Sequence, residues 1–318
     1  MIQPHFLKPG DTIGIVAPAR KVSPEELSDG IKILEGWGFN VRLGKNIFKE
    51  QNQFSGGDEE RAADLQMMLD DADVKAIISA RGGYGTVRII DKLDFSKFKQ
   101  HPKWLVGYSD MTVLHNHLQS NLQTQSIHAC MVFNMQPDKF DKDAVESLGK
   151  ALTGVPLHYK FSSANNQSLN RNGKAKGILC GGNLSLIYAL SGSVSDIDTS
   201  KKILFIEDLD EYLYHIDRMM IQLKRSGKLQ NLAGLIVGGM SDMKDNTVPF
   251  GKTAEEIIRE HVNEFDYPVC FDFPAGHIKN NLALIMGATV ELSVGDGVEL
   301  KFEADSPHLQ PLSRRREE

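Results

Sequence analysis

Cysteine is scarce in this chain. Its three cysteines, Cys130, Cys180 and Cys270, form an odd and widely spaced set that contains no Cys-x-x-Cys pair. A disulfide framework usually needs an even set of cysteines, and a structural zinc site needs closely spaced ligands, so neither is expected. Sparse free cysteines are typical of a reducing compartment, and we therefore expect a cytoplasmic protein.

Long apolar runs and an excess of basic residues are also absent from the sequence. No run reaches the roughly 18 apolar residues of a membrane-spanning helix. The first residues lack the cationic start and apolar core of a signal peptide. The formal net charge is −6, so no basic field attracts nucleic acid or an anionic membrane. We expect neither of them as a partner.

The composition is otherwise that of an ordinary globular protein. The chain has 318 residues, of which 41% are hydrophobic and 25% are charged. Because a single core stops growing near roughly 250–300 residues, two domains are expected. Residues 162–172 are almost wholly polar, and we place a crossing between domains at residues 137–175, with a short helix near residues 144–152. Residues after 305 are interpreted as a tail.

Short apolar runs alternate with amphipathic segments in the first half of the chain. The predicted strands are residues 12–17, 39–43, 75–80 and 104–107, and the predicted helices begin at 24 and 58 and span 86–93 and 111–122. Ser23, Pro24 and Glu26 form a capping box for the first helix, and Asp58 is expected to cap the second. Such alternation predicts a parallel α/β sheet whose strand-to-helix loops share one edge.

The second half also predicts an α/β domain. Its expected strands are residues 203–206, 234–237 and 269–273, and its expected helices are residues 217–226 and 254–262. A hairpin with a Gly-Asp-Gly turn is predicted over residues 288–302.

A candidate nucleophile lies in the run Gly-Tyr-Ser-Asp at residues 107–110. Ser109 follows a predicted strand and precedes a predicted helix, where a sharp turn exposes the hydroxyl and points the Asp110 N–H at an oxyanion. The Gly-x-Ser-x-Gly consensus is broken by Met111, so this segment alone favours a helix cap.

Residues 81–85, Arg-Gly-Gly-Tyr-Gly, follow another predicted strand. Arg88 stands where a dinucleotide-binding Gly-x-Gly-x-x-Gly pattern needs glycine, and no Walker A pattern occurs. The loop is either a tight turn or the donor of a second oxyanion N–H.

A serine nucleophile needs a base and an acid that orients it. His277 follows the predicted strand 269–273, whereas His115, His117 and His128 do not stand out. Glu207 is the first charge after a buried strand. The acidic residues that follow it, Asp208, Asp210 and Glu211, are more simply a solvated cluster, and the run matches no calcium-loop pattern.

Together these segments resemble one family, the LD-carboxypeptidases of serine peptidase family S66, which also includes the microcin C immunity proteins. The resemblance covers nearly the whole chain. Its motifs are residues 7–18, 81–85, 107–110, 181–183, 207 with 214–219, 238–239 and 274–277.

The resemblance implies a Ser–His–Glu triad of Ser109, His277 and Glu207, with the N–H groups of Asp110 and Gly83 in the oxyanion hole. It also implies a flavodoxin-like parallel-sheet N-terminal domain over residues 1–136. A C-terminal α/β domain with a mixed or barrel-like sheet is expected over residues 176–318. A homodimer is expected, and no metal or organic cofactor is needed.

The implied substrate is the murein tetrapeptide, cleaved at the L–D bond before its terminal D-alanine during cytosolic cell-wall recycling. Arg81 is a candidate for binding the substrate carboxylate, or else forms a structural ion pair. The alternative substrate is a peptidyl or aminoacyl nucleotide. Both tryptophans, Trp37 and Trp104, lie in the first half, which argues mildly against a nucleotide platform in the second. A non-catalytic binding module is the third hypothesis.

Overall fold

The structure is a computed structural model that describes residues 1–136, 138–139, 141–162 and 166–303. The predicted tail after residue 305 and part of the polar stretch 162–172 lie outside these residues. The described strands are β1 Thr12–Val16, β2 Asn40–Leu43, β3 Val74–Ser79, β4 Trp104–Gly107, β5 Ser126–His128, β6 His158–Phe161, β7 Gly173–Asn183, β8 Ile203–Leu209, β9 Gly234–Ser241, β10 Val269–Cys270, β11 Leu284–Met286, β12 Thr289–Val294 and β13 Val298–Phe302. The described α-helices are α1 Pro24–Gly36, α2 Asp58–Asp70, α3 Ser96–Gln100, α4 Thr112–His117, α5 Lys142–Thr153, α6 Leu184–Leu190, α7 Leu213–Arg225 and α8 Ala254–His261.

The first sheet has six strands in the order β11-β5-β4-β3-β1-β2. The strands from β1 to β5 are parallel, and their order 2-1-3-4-5 is the flavodoxin-like one. The expected flavodoxin-like parallel sheet is therefore confirmed. The sixth strand, β11, comes from the second half of the chain and pairs antiparallel with β5.

The second sheet has seven strands in the order β10-β9-β8-β7-β12-β13-β6. β7 to β10 are parallel, and the strands beyond β7 are antiparallel, including the predicted hairpin β12–β13. The sheet is open, with β10 and β6 at its edges, so it is mixed rather than a closed barrel. The expected crossing, residues 137–175, contributes α5 and the edge strand β6.

Local sequence signals explain the start of α1 but not that of α2. Ser23 Oγ accepts a hydrogen bond from the Glu26 N–H at 3.3 Å, and Glu26 Oε2 accepts one from the Ser23 N–H at 2.9 Å. The predicted capping box is therefore present. At α2 the prediction was wrong by one residue, because Gly57 is the N-cap and Asp58 is the first helical residue.

The predicted helix over residues 86–93 is wrong. Two 3₁₀ turns, Thr86–Arg88 and Ile90–Lys92, occupy this segment, with bonds that span three residues. The Gly85 carbonyl accepts from both the Arg88 N–H and the buried Arg61 guanidinium, which leaves it unable to begin a regular α-helix.

The predicted helix over residues 111–122 and strand over residues 269–273 are only partly correct. A 3₁₀ turn at Ser109–Met111 precedes α4, and a π-helical turn, Leu118–Leu122, follows it. β10 ends at Cys270, and the chain then leaves the extended conformation because Asp272 has a φ of 59°.

The two sheets share one hydrophobic core. A single buried cluster joins Trp104 and Val106 of β4 to Phe205 of β8 and Leu284 of β11. This packing brings the carboxyl ends of β4 and β8 together. Among the described residues, no helix combines the length and the apolarity needed to cross a bilayer.

Candidate active site

Ser109 lies on a sharp turn at the carboxyl end of β4. Its φ is 61°, a left-handed conformation that residues other than glycine rarely adopt. Gly107, at a φ of 150°, gives the turn its room, because a Cβ atom added there would lie 2.7 Å from Cγ of Met111. Gly107 thus accommodates Met111, the residue that breaks the elbow consensus. The geometry is that of a strained nucleophile elbow.

A buried histidine, which the sequence did not single out, supports this elbow. His115 Nε2 lies 2.9 Å from the Gly107 carbonyl oxygen, and Nδ1 lies 2.8 Å from Ser126 Oγ. A carbonyl can only accept a hydrogen bond, so Nε2 carries the proton and Nδ1 accepts from the serine hydroxyl. Burial lowers the pKa of His115 to about 4, which keeps the ring neutral. His115 therefore fixes the residue from which the elbow starts.

The Asp110 side chain links the elbow to the neighbouring glycine loop. Its Oδ2 accepts a hydrogen bond from the Thr86 N–H at 2.7 Å, and it makes no side-chain cap on the helix that follows. The carboxyl group is buried, and this burial raises its pKa. The helix-cap alternative is therefore not what the structure shows for Asp110.

The glycine loop, residues 81–85, packs directly against Ser109. A Cβ atom added at Gly82 would lie 3.1 Å from both Cβ and Oγ of Ser109. Gly83, the next residue, has a φ of 115°. Its N–H donates no hydrogen bond within the described part of the chain. Close approach of the backbone to Ser109 therefore explains Gly82, whereas Gly83 and Gly85 make room for Arg20 and Arg61.

Glu207 and His277 form a short, buried pair. Glu207 Oε2 lies 2.6 Å from His277 Nδ1 and also accepts from the His277 backbone N–H at 3.2 Å. Glu207 is fully buried in β8. Gly276 allows this contact, since it has a φ of 108° and an added Cβ atom would lie 2.7 Å from Cβ of Glu207. The two bonds to one carboxylate oxygen fix the orientation of the imidazole.

The two groups shift each other's pKa in opposite directions. Burial alone would raise the pKa of Glu207, but the charge and hydrogen bonds of His277 outweigh it, and the pKa is lowered. Burial alone would lower the pKa of His277, but Glu207 outweighs that effect, and the pKa is raised. The carboxylate therefore stays ionised and stabilises an imidazolium.

Tyr108, the residue between β4 and Ser109, brings His277 close to the elbow. The ring centroids of Tyr108 and His277 are 4.8 Å apart. No hydrogen bond joins Ser109 to His277 within residues 1–136 and 166–303. Catalytic hydrogen bonds commonly tighten only when substrate binds, so a serine–histidine pair does not require this hydrogen bond before substrate is bound.

Asp208 is a second buried carboxylate that the sequence assigned to a solvated cluster. It is 1% exposed, so that assignment is wrong. Its oxygens accept hydrogen bonds from Asn183 Nδ2 at 2.9 Å and from the Ser185 N–H at 2.8 Å. Burial, together with the charge of Glu207, raises its pKa to about 7. The sequence could not reveal these partners, because they come from the end of β7 and from α6.

Asn183 also connects the second sheet to α4, the helix that follows Ser109. Its backbone N–H donates to Thr112 Oγ1 at 3.0 Å, and Thr112 is the first residue of α4. Asn183 is in register with Glu207 on β8. This contact fixes the position of the elbow relative to the strand that carries the carboxylate.

Arg81 forms the ion pair that was its structural alternative. Its Nη1 lies 3.4 Å from Glu26 Oε1, and its guanidinium stacks 4.0 Å above the ring of Phe133. The charged end of Arg81 is therefore already engaged.

An elbow serine beside a buried histidine–carboxylate pair, on an α/β fold, is the arrangement that serine hydrolases use. Sequence profiles of known families agree with this class. The profile of the LD-carboxypeptidase N-terminal domain matches residues 13–129, and that of the LD-carboxypeptidase C-terminal domain matches residues 176–292.

Individual relatives cover almost the whole chain. A Bacillus subtilis protein named as a probable murein peptide carboxypeptidase is 36% identical over 303 residues, or 92% of each chain. The solved muramoyltetrapeptide carboxypeptidase of Oxalobacter formigenes has a TM-score of 0.82 and 28% identity, and the match covers 92% of this chain and 98% of that one. The microcin C7 self immunity protein MccF, solved with aspartyl sulfamoyl adenosine, has a TM-score of 0.84 and shares the fold at 22% identity, over 95% and 99% of the two chains.

The chain belongs to the LD-carboxypeptidase family, peptidase family S66. It is a serine carboxypeptidase.

Proposed function

We propose that the protein removes the terminal D-alanine of murein tetrapeptide by hydrolysing the L–D peptide bond. The observation that supports this most directly is the 2.6 Å contact between Glu207 and His277 beside the strained elbow of Ser109. Relatives named for murein peptides support the substrate class.

The reaction starts at Ser109, which we propose as the nucleophile. His277 Nε2 takes the hydroxyl proton as Oγ bonds to the scissile carbonyl carbon. Glu207 holds the proton on Nδ1, which leaves Nε2 as the acceptor, and stabilises the imidazolium that forms. The carbon–nitrogen bond then breaks, and His277 returns the proton to the leaving amine of D-alanine. Water, deprotonated by His277, cleaves the acyl-enzyme and restores the Ser109 hydroxyl.

The oxyanion of each tetrahedral intermediate needs donors close to Ser109. We assign this role to the backbone N–H groups of Asp110 and Gly83. Loss of one such donor typically costs on the order of 10²–10³ in rate. The contact of Gly82 with Ser109 supports this assignment, because it brings the glycine loop against the proposed nucleophile.

The setting of the reaction is also part of the proposal. We propose cytoplasmic action in cell-wall recycling, a homodimer, and an N-terminal domain of residues 1–136 joined by residues 137–175 to a C-terminal domain of residues 176–318. Apart from the substrate and water, the chemistry described uses only side chains and backbone of the protein.

Release of D-alanine from murein tetrapeptide tests this function. We expect Ser109→Ala to lower kcat by roughly 10⁴-fold or more, because the nucleophile is lost while the oxyanion donors remain. Ser200→Ala, at an exposed serine, is the matched control and should retain full activity. Full activity in Ser109→Ala would exclude the mechanism.

A second candidate activity is hydrolysis of peptidyl or aminoacyl nucleotides. Tyr212 and Tyr214 are each 40% exposed, and their ring centroids are 5.5 Å apart, shortly after Glu207 in sequence. These tyrosines give the second half an aromatic surface despite its lack of tryptophan. MccF, with the same fold, was solved with aspartyl sulfamoyl adenosine.

Assays of murein tetrapeptide and an aminoacyl nucleotide side by side decide between the two activities, and cleavage of the nucleotide alone would favour the second. Tight binding of either without turnover would instead indicate a binding module.

A further inference from the structure

Removal of a C-terminal residue requires a group that recognises the free carboxylate of the substrate. Because one residue spans at most about 3.5 Å of chain, the terminal carboxylate lies close to the scissile carbonyl. A cation that binds it at a hydrogen-bonding distance of roughly 2.9 Å must therefore project from the immediate surroundings of Ser109. This requirement rests on the proposed carboxypeptidase function.

Arg20 lies in those surroundings. It follows β1 at the edge of the first sheet where the strand-to-helix loops meet. Its side chain crosses the glycine loop, because a Cβ atom added at Gly83 would lie 3.0 Å from Cβ and 3.4 Å from Cδ of Arg20. The neighbouring Gly82 packs against Ser109. The stem of Arg20 is thus one residue away from the contact with the nucleophile.

The charge of Arg20 is uncompensated within the described residues. Arg20 is exposed, and its guanidinium forms neither an ion pair nor a hydrogen bond with any of them. The adjacent residue, Lys21, pairs with Glu50 at 2.6 Å, so that carboxylate is already engaged. A free, bidentate donor remains beside the glycine loop, and this geometry suits a carboxylate.

A second arginine increases the positive potential at the same place. Burial, and then the neighbouring charge of Arg20, lower the pKa of Arg81. Arg81 begins the glycine loop and stands two residues before Gly83, on which the stem of Arg20 packs. Glu26 compensates one of the two charges through its 3.4 Å contact with Arg81. No carboxylate of the described residues compensates the second charge, that of Arg20, which leaves it available to a bound anion.

We propose that Arg20 binds the C-terminal carboxylate of the substrate and thereby restricts the enzyme to removing the last residue. Arg81 contributes to the field but is held by Glu26 and Phe133. The preference for a terminal residue then arises at the glycine loop, on the leaving-group side of the scissile bond.

The test compares murein tetrapeptide with the same peptide carrying a C-terminal amide. In Arg20→Gln we expect kcat/KM for the acid to fall roughly 10–100-fold, because a charge-assisted bidentate contact is lost. Turnover of the amide should hardly change, so the ratio of kcat/KM for the acid to that for the amide falls. Arg20→Lys keeps the charge but not the bidentate geometry of the guanidinium, and it should restore part of this ratio.

Arg42→Gln is the matched control, because Arg42 carries the same charge but lies on the edge strand β2, where it pairs with Asp71. This variant should leave kcat/KM for the acid and for the amide unchanged. Equal losses on acid and amide in Arg20→Gln would show a structural role and overturn the anchor. An unchanged preference, or a collapse in Arg81→Gln alone, would also overturn it. Failure of the unaltered enzyme to cleave tetrapeptide contradicts the proposed function itself, and that outcome is visible before any variant is made.

Discussion

The protonation of His277 sets the pH range in which the proposed base can work. The ring must be neutral at Nε2 to accept the serine proton, and its pKa is raised above the ordinary value of 6.5 because Glu207 outweighs burial. Activity should therefore fall as the pH drops through this raised pKa. The acid limb of kcat/KM is expected above pH 6.5, where an unperturbed histidine would titrate.

Glu207→Gln should move that limb in a defined direction. The amide carries no charge, so the variant loses the charge and the ionic hydrogen bond of Glu207, which contribute most to raising the pKa of His277. Burial, which lowers this pKa, is then opposed only by the smaller effect of Asp208, and the acid limb shifts to lower pH. The rate at the plateau should also fall, by roughly 10²–10⁴-fold, because no carboxylate then holds the imidazole in the tautomer with its proton on Nδ1. A pH series of kcat/KM measures both effects. Glu211→Gln is the control, since Glu211 forms a similar 2.5 Å contact with His215. A limb that shifts to higher pH would contradict this account.

Some site residues are recognisable from the sequence and others are not. Ser109, Glu207 and His277 each follow a strand-like run, which is a local signal. Asp208 has the same local signal as its exposed neighbours, and only the N–H groups supplied by α6 and by Asn183 explain its burial. His115 looks like any helical histidine until its contact with the Gly107 carbonyl is seen.

At the level of elements, the loop after β10 depends on one glycine. Gly276→Ala should reduce activity by roughly 10-fold or more, because its Cβ atom would displace Glu207 and with it the imidazole. Gly10→Ala is matched in backbone strain, with a φ of 92°, but has no atom within 4 Å of the added Cβ. Kinetic constants and thermal unfolding of both variants separate the clash from the strain. Equal activity losses in the two would contradict the positional role of Gly276.

The alternation of strands and helices was predictable because it depends on the local spacing of apolar residues along the chain. The capping box of α1 and the hairpin β12–β13 are confirmed for the same reason. The segment after Gly85 was not predictable, since its form depends on Arg61, which reaches it from α2. The early end of β10 depends on a single left-handed residue, Asp272, whose type does not identify it as such.

At the scale of the whole molecule, the hydrogen bond between Asn183 and Thr112 joins the second sheet to the helix that follows β4 of the first. Thr112→Val keeps the shape of the side chain but removes the acceptor of the buried Asn183 N–H. We expect the free energy of unfolding to fall by about 1–3 kcal/mol, the cost of an unsatisfied buried donor. Urea denaturation measures it. Thr153→Val, at the exposed end of α5, should change it by less than about 0.5 kcal/mol. Similar losses in both variants would contradict the role of this bond.

The sequence predicted the general architecture, but it did not predict which sheet each late strand joins. Two α/β units and a parallel first sheet are consequences of strand–helix alternation. The pairing of β11 with β5 joins segments that are remote in sequence, and nothing in residues 284–286 indicates that they belong to the first sheet. Nothing in the sequence indicates the partner of β6 either, because its polar surroundings led us to assign it to the crossing between domains.

The position of β11 has a consequence for synthesis. As the chain leaves the ribosome, β5 is made early and remains an unpaired strand edge until Leu284–Met286 emerges. At roughly 5–20 residues per second, the intervening stretch of roughly 155 residues takes about 8–30 s to make. During that interval the nascent chain has an edge open to aggregation, and for most of it the chain also lacks His277. We expect a product truncated before His277 to lack both the proposed base and the partner of β5, and therefore to be inactive and prone to aggregation.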